Sequence, residues 1–130
     1  MNKLAIALFA SALAVPAFSH EGHKHDESKE TAKAVKVQTV QGELLDMACY
    51  MNNEEKGAKH AKCAEMCVKG GSPLGLLTKD GKVFLLVNDH ANEKAFAEAK
   101  LLAGGNAKVT GKIVSRGGVQ AIVVAGAEKL

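Results

Sequence analysis

The sequence is poor in several residue types, and each scarcity excludes a class of protein. None of its 130 residues is tryptophan, one is tyrosine, and two are proline. Lysine and arginine number 17 against 14 aspartates and glutamates, and they form no stripe interleaved with aromatic residues. Such a stripe is what nucleic-acid binding needs, so we expect no nucleic-acid partner. The length suits one domain, and a hydrophobic fraction of 47% argues against wholesale disorder.

The sequence also lacks an apolar run long enough to cross a membrane. The longest run covers residues 4–15 and is interrupted only by Ser11, whereas a spanning helix needs about 20 apolar residues. It follows Lys3 and is closed by a short segment that ends Ala17-Phe18-Ser19. A basic start, an apolar middle and a small-residue end are the three parts of a secretory signal peptide. We therefore predict that residues 1–19 are a signal peptide and that the protein is periplasmic or secreted.

Residues 20–34 carry a separate signal, because they are polar and rich in histidine. They contain too few apolar residues to form a core, so we predict a disordered tail. Short histidine-rich tracts commonly bind metal. If cleavage follows Ser19, the free amine and imidazole of His20 would chelate Cu(II), with His23 and His25 within reach. The alternatives are cleavage after Ala17 and a solvated tail that binds metal adventitiously.

The pattern of the rest of the chain predicts strands with a few helices. A strand begins near Val35 with a bulge or bend at Gly42, and the alanine-rich segment 52–69 has helix formers. An Asp-Gly turn at residues 80–81 joins two apolar strands, and Asn88-Asp89 can cap a helix over residues 90–103. The other predicted strands cover residues 74–78, 82–87, 107–115 and 119–125.

Five strands with a helix between the third and the fourth are the element order of an OB-fold, a five-stranded Greek-key barrel. We therefore predict a mainly β, OB-like domain over residues 35–130, with a helical, cysteine-containing insertion at about residues 48–72 between strands 1 and 2. A small α+β sandwich is the competing prediction.

Part of this domain resembles small, uncharacterised exported bacterial domains. The resemblance rests on the run Gly-x-x-x-Asp-x-x-Cys-Tyr, followed by His-x-x-Cys-Ala-x-x-Cys and Gly-x-Pro-x-Gly. It implies a shared site without naming a function. The residues that carry it are Gly42, Asp46, Cys49, Tyr50, His60, Cys63, Ala64, Cys67, Gly71, Pro73 and Gly75.

Apart from the initiator methionine, every sulfur atom of the protein lies between residues 47 and 67. The spacing His60-x-x-Cys63-x-x-x-Cys67 would place three ligands on one helical face. Cys49, at the end of the first strand, would complete a Cys₃His set of the kind that binds zinc. Thiolates and thioethers also select Cu(I). The methionines that could act as auxiliary groups are Met47, Met51 and Met66.

Two other interpretations of the cysteines stay open. Exported proteins use cysteines mainly in disulfides, and a Cys49–Cys63 or Cys49–Cys67 bridge could staple the insertion to the barrel. Closing a loop of about 15 residues would stabilise the fold by roughly 3 kcal/mol. The third interpretation is a redox-active pair of Cys63 and Cys67.

The function most consistent with these patterns is that of an exported protein that binds a soft metal, copper first and zinc second. We expect a role in metal buffering, delivery or resistance, with a metal-donating or metal-accepting periplasmic protein as a further partner. The sequence contains no Gly-x-Ser-x-Gly, phosphate loop or His-Glu-x-x-His. We therefore expect a binding protein rather than an enzyme.

Overall fold

A computed structural model describes residues 36–130, and within this part the protein is mainly β, as predicted. The predicted signal peptide (1–19) and the histidine-rich tail (20–34), with His20, His23 and His25, lie outside the described residues. The strands are β1 (Val37–Asp46), β2 (Leu74–Leu77), β3 (Val83–Val87), β4 (Asn106–Arg116) and β5 (Val119–Lys129). The helices are α1 (Met47–Asn53), α2 (Ala61–Lys69) and α3 (Glu93–Lys100).

The five strands form a closed barrel in the order β1-β2-β3-β5-β4. The β3–β5 pair is parallel and the other pairs are antiparallel. β1 closes the barrel because its first part pairs with β4 and its last part pairs with β2. Gly42 lies at the changeover, where a Cβ atom would overlap the carbonyl group of Leu77. This is the strand order and helix placement of an OB-like barrel, which confirms the predicted fold class.

The core fills the barrel with aliphatic side chains, since inward-facing positions alternate with outward-facing ones along each strand. α3 contributes Ala95 and Ala99, both buried, and packs Phe96 against the same core, as does Leu102 just after the helix. Small residues on this helix let it lie close to the strands. The fully buried core side chains of largest volume are Leu44, Leu45, Leu74, Leu76, Ile122, Val68, Val109 and Val124.

Two predicted details of the strands and helices differ from the structure. No register shift occurs at Gly42, so of the predicted bulge or bend there the bulge is absent, and the register shift lies between Thr110 and Gly111 of β4. The third helix begins at Glu93 instead of residue 90, because the Asp89 side chain accepts a hydrogen bond from the Ala91 amide at 3.0 Å and holds a turn there. Side chains of this type compete with helix formation by bonding nearby backbone groups.

The insertion between β1 and β2 is two helices rather than the single helical segment predicted over residues 52–69. α1 ends at Asn53 and is capped by Glu54, which has a left-handed backbone (φ 56°), and Gly57 has φ 77°. The Gly57 amide also donates a hydrogen bond to the Glu43 side chain on β1. This contact ties the inter-helix turn to the barrel and lets α2 fold back towards α1.

No helix within residues 36–130 is long and apolar enough to cross a membrane.

Candidate metal centre

Asp46 joins the barrel to the insertion and begins the candidate site. It is the last residue of β1 and the N-cap of α1, where its Oδ1 accepts a hydrogen bond from the Ala48 amide at 3.0 Å. The Ser72 hydroxyl donates to the same oxygen from the far end of the insertion. Capping side chains fix the direction in which a helix starts. Asp46 therefore sets the position of Cys49, which lies in the first turn of α1 and not at the end of the strand as predicted.

α2 supplies the other two cysteines. Ala64 and Val68 are its buried residues, and Val68 belongs to the core of the barrel. Cys63 and Cys67 are one turn apart on the helix and half-buried, which places them on one face, as the spacing predicted. Two helices that are separate in sequence thus bring three thiols together.

The three sulfur atoms of Cys49, Cys63 and Cys67 all lie within 4.8 Å of one another, and all three cysteines are free. Two thiolates bound to one tetrahedral zinc ion, each about 2.3 Å from the metal, are about 3.8 Å apart. The observed sulfur separations are therefore compatible with a shared ion after small side-chain rotations. The cluster is a place where a metal ion can be held by residues of the described chain.

His60 lies at the N-terminus of α2, with 11% of its side chain exposed. Its Nδ1 is 3.7 Å from Oε2 of Glu55, and its Nε2 is buried without a hydrogen-bond partner. Its ligand atom lies within 4.8 Å of Cys49 and Asp46. The predicted Cys₃His ligands thus fall into two groups that share Cys49, one with Cys63 and Cys67 and the other with His60.

Sequence reasoning named Asp46 only within the resemblance and did not place it among the candidate ligands. The pattern showed a carboxylate near the cysteines, but it did not show that the side chain would be 1% exposed. Its Oδ2 is buried without a hydrogen-bond partner of normal geometry. The signal that could have found it is its position between an apolar strand and a helix start, which favours an inward-facing N-cap.

The methionines predicted as auxiliary groups take different positions. Met47 lies over the barrel, since a Cβ atom on Gly75 would overlap its Sδ and Cγ. Met51 and Met66 are exposed, with 71% and 60% of their surfaces accessible to solvent. Met47 therefore packs against β2, and the other two present thioethers on the outer surface of the cysteine-bearing helices.

The surroundings of Cys49 and Cys67 favour the protonated form of these two thiols in the metal-free protein. The hydrogen bond to Asp46, followed by burial and by the carboxylate charge, raises the pKa of Cys49 to about 12. Burial, followed by the Cys63 and Asp46 side chains, raises the pKa of Cys67. Burial alone would raise the pKa of Asp46, but hydrogen bonds from Cys49, Ser72 and Ala48 outweigh it, so the pKa is lowered. A reactive redox cysteine needs a depressed pKa, which disfavours the thiol-redox interpretation.

Replacing Asp46 with asparagine tests this account of the thiols. Asparagine can still cap α1, but it removes the charge that raises the pKa of Cys49, so the thiolate fraction at neutral pH increases. Each pKa unit regained is tenfold in thiolate, and we expect alkylation of metal-free Cys49 to accelerate by about tenfold or more. Peptide mass spectrometry after timed iodoacetamide exposure measures the rate. Asp80→Asn, in the exposed β2–β3 turn, should leave the rate unchanged, and equal rates in both variants would contradict the account.

The fold and the site together define the class of protein. It is a closed five-stranded barrel that carries a cysteine-rich candidate metal centre on the connection between its first two strands. Searches against protein-family models, curated proteins and solved structures found no match to this chain.

Proposed function

We propose that this protein is an exported metal-handling protein that binds a soft transition metal through Cys49, Cys63 and Cys67. Copper, as Cu(I), is the first choice, and zinc is the alternative. The histidine-rich tail, with His20, His23 and His25, would capture metal and pass it to the cysteines. The role is metal buffering, delivery or resistance, with a donor or acceptor protein as partner.

One observation carries the proposal: two short helices bring all the cysteines of the protein within 4.8 Å of one another. The convergence depends on several independent features, namely the cap at Asp46, the turn at Gly57 and the packing of Ala64 and Val68. The barrel is closed by the pairing of β1 with β2 and β4, and the two helices lie outside that sheet. A cluster of three half-buried thiols is instead what a trigonal soft-metal site requires.

The type of ligand decides between the metals. Three thiolates suit Cu(I), and exposed thioethers on the same two helices suit transfer of that ion. Zinc also accepts thiolates, and it readily adds a nitrogen or oxygen ligand such as His60 or Asp46. Binding of either ion requires loss of the thiol protons, so affinity should increase with pH.

The same geometry also supports the disulfide alternative, because thiols this close could form a disulfide on oxidation. It predicts one free thiol in protein isolated from the periplasm. The metal proposal predicts three thiols that become reactive only after a chelator removes the ion.

The test is a Cu(I) titration of the reduced chain under anaerobic conditions against a competing chromogenic chelator. The chain should carry His20→Gln, His23→Gln and His25→Gln, so that ions on the tail are not counted. We expect one equivalent of Cu(I) to be withheld from the chelator, and none after Cys49, Cys63 and Cys67 are all changed to serine. Equal binding by the two chains, or no binding of either Cu(I) or Zn(II), would overturn the proposal.

A further inference from the structure

Two buried side-chain atoms beside the cysteines have no hydrogen-bond partner of normal geometry within residues 36–130. They are Oδ2 of Asp46 and Nε2 of His60, and within residues 36–130 only Oδ1 of Asn88 shares this condition. Leaving a buried polar atom unpaired is unfavourable, and such atoms are rare in folded proteins. One ligand atom each of Asp46 and His60 lies within 4.8 Å of the other and of the Cys49 sulfur. Two such unpaired side chains at one thiol point to a missing ligand.

These atoms are of the kinds that bind a metal cation. A carboxylate oxygen, an imidazole nitrogen and a thiolate sulfur are the three kinds of ligand that Zn(II) takes from proteins. Glu55 holds the other side of the His60 ring, with 3.7 Å between its Oε2 and Nδ1. Metal-binding histidines commonly donate their second N–H to a carboxylate, which orients the lone pair of the opposite nitrogen at the metal. The 3.7 Å separation in the Glu55–His60 pair is longer than a hydrogen bond, and a small movement of the exposed Glu55 side chain would complete this arrangement.

The ligands divide into two sets that share one sulfur atom. Cys49, Cys63 and Cys67 form the first set, and Asp46, Cys49 and His60 form the second. A thiolate can bridge two ions, so occupancy of one set does not exclude the other. The site therefore has more ligands than one four-coordinate ion needs.

Charge favours a second ion. With its metal bound, the cluster holds three thiolates and the Asp46 carboxylate, which together carry four negative charges. A single Cu(I) ion leaves three of them uncompensated in a half-buried site, and buried charge without a partner is unfavourable. Adding a divalent ion beside Asp46 would leave only one negative charge uncompensated.

We propose that the centre binds two ions bridged by the Cys49 thiolate: a soft ion on the three cysteines and a Zn(II) ion on Asp46, Cys49 and His60. This inference rests on the proposed function, since Cys49 belongs to both sets. It adds a second position, a second metal and a positioning role for Glu55.

Native mass spectrometry of the reduced chain tests the inference, again with the three tail histidines changed to glutamine. The protein is loaded with one equivalent of Cu(I), exposed to excess Zn(II) and desalted. We expect one copper and one zinc per chain. His60→Gln should retain the copper and lose the zinc, and Glu55→Gln, an exposed substitution, should weaken zinc binding by about 10- to 100-fold, the usual effect of removing such a carboxylate.

His90→Gln is the matched control, because His90 also lies near a glutamate, with 3.8 Å between its Nδ1 and Oε1 of Glu93, but is 97% exposed. It should bind both ions like the parent. Each of three results would overturn the second position: the parent binds copper alone, the parent binds a single ion that His60→Gln abolishes, or His60→Gln and His90→Gln retain zinc equally. Copper alone in the parent, or equal retention of zinc, would leave the three-cysteine site standing. A parent that binds neither copper nor zinc would overturn both the second position and the proposed function.

Discussion

Replacing Cys67 with serine is expected to weaken Cu(I) binding by more than about 100-fold. Loss of a group that only supports a ligand already costs 10- to 100-fold in affinity, and this substitution removes a ligand itself. A hydroxyl group is a poor ligand for a soft ion. Competition with a Cu(I) chelator measures the change, and circular dichroism verifies that the variant is folded.

The control for this substitution is Lys62→Ser, which places a serine on the exposed side of the same helix. It should bind Cu(I) like the parent chain. If the Cu(I) affinity of Cys67→Ser is within a few-fold of that of Lys62→Ser, the three thiols do not share an ion and the proposed centre is wrong.

Gly104→Ala is expected to produce the largest loss of stability, about 2–5 kcal/mol. Gly104 has φ 79°, a conformation that costs other residues roughly 1–2 kcal/mol. A Cβ atom there would also overlap the backbone of Ala61, the first residue of α2, and overpacking costs about 1–3 kcal/mol. The amide of Gly104 donates to the Leu44 carbonyl at 2.7 Å, so the residue cannot simply move away. Urea unfolding followed by circular dichroism measures the free energy of unfolding.

Gly105→Ala is the matched control for this prediction. Gly105 has no positive φ, and a Cβ atom there would lie 3.3 Å from the Leu102 carbonyl oxygen, a contact that small adjustments relieve. We expect a loss of about 1 kcal/mol or less. Equal stability of the two variants would show that the contact between Gly104 and α2 does not hold the insertion against the barrel.

The fold could be predicted from the sequence because its signals are local. The Asp-Gly turn after β2, the glycine pair at residues 117–118 and the alanines of α3 each mark an element without reference to the rest of the chain. The element order then follows, and it defines the barrel. The sequence did not reveal the extent of β5, which continues to Lys129 because residues 126–129 pair with residues 107–110 of β4.

The site was predicted only in part, for a different physical reason. The face shared by Cys63 and Cys67 follows from helical geometry, which sequence spacing records. The position of Cys49 depends on the chain reversing at Glu54 and Gly57, and that reversal brings together residues that are not neighbours in sequence. The role of Asp46 depends on burial, which only the packed structure provides.

The most direct test of the three-cysteine site is X-ray absorption spectroscopy at the copper edge. The sample is the reduced chain with glutamine at positions 20, 23 and 25, loaded with one equivalent of Cu(I). The account predicts a first shell of three sulfur atoms, reduced in number by Cys67→Ser. A shell of nitrogen or oxygen atoms, or a sulfur count that Cys67→Ser leaves unchanged, would contradict it.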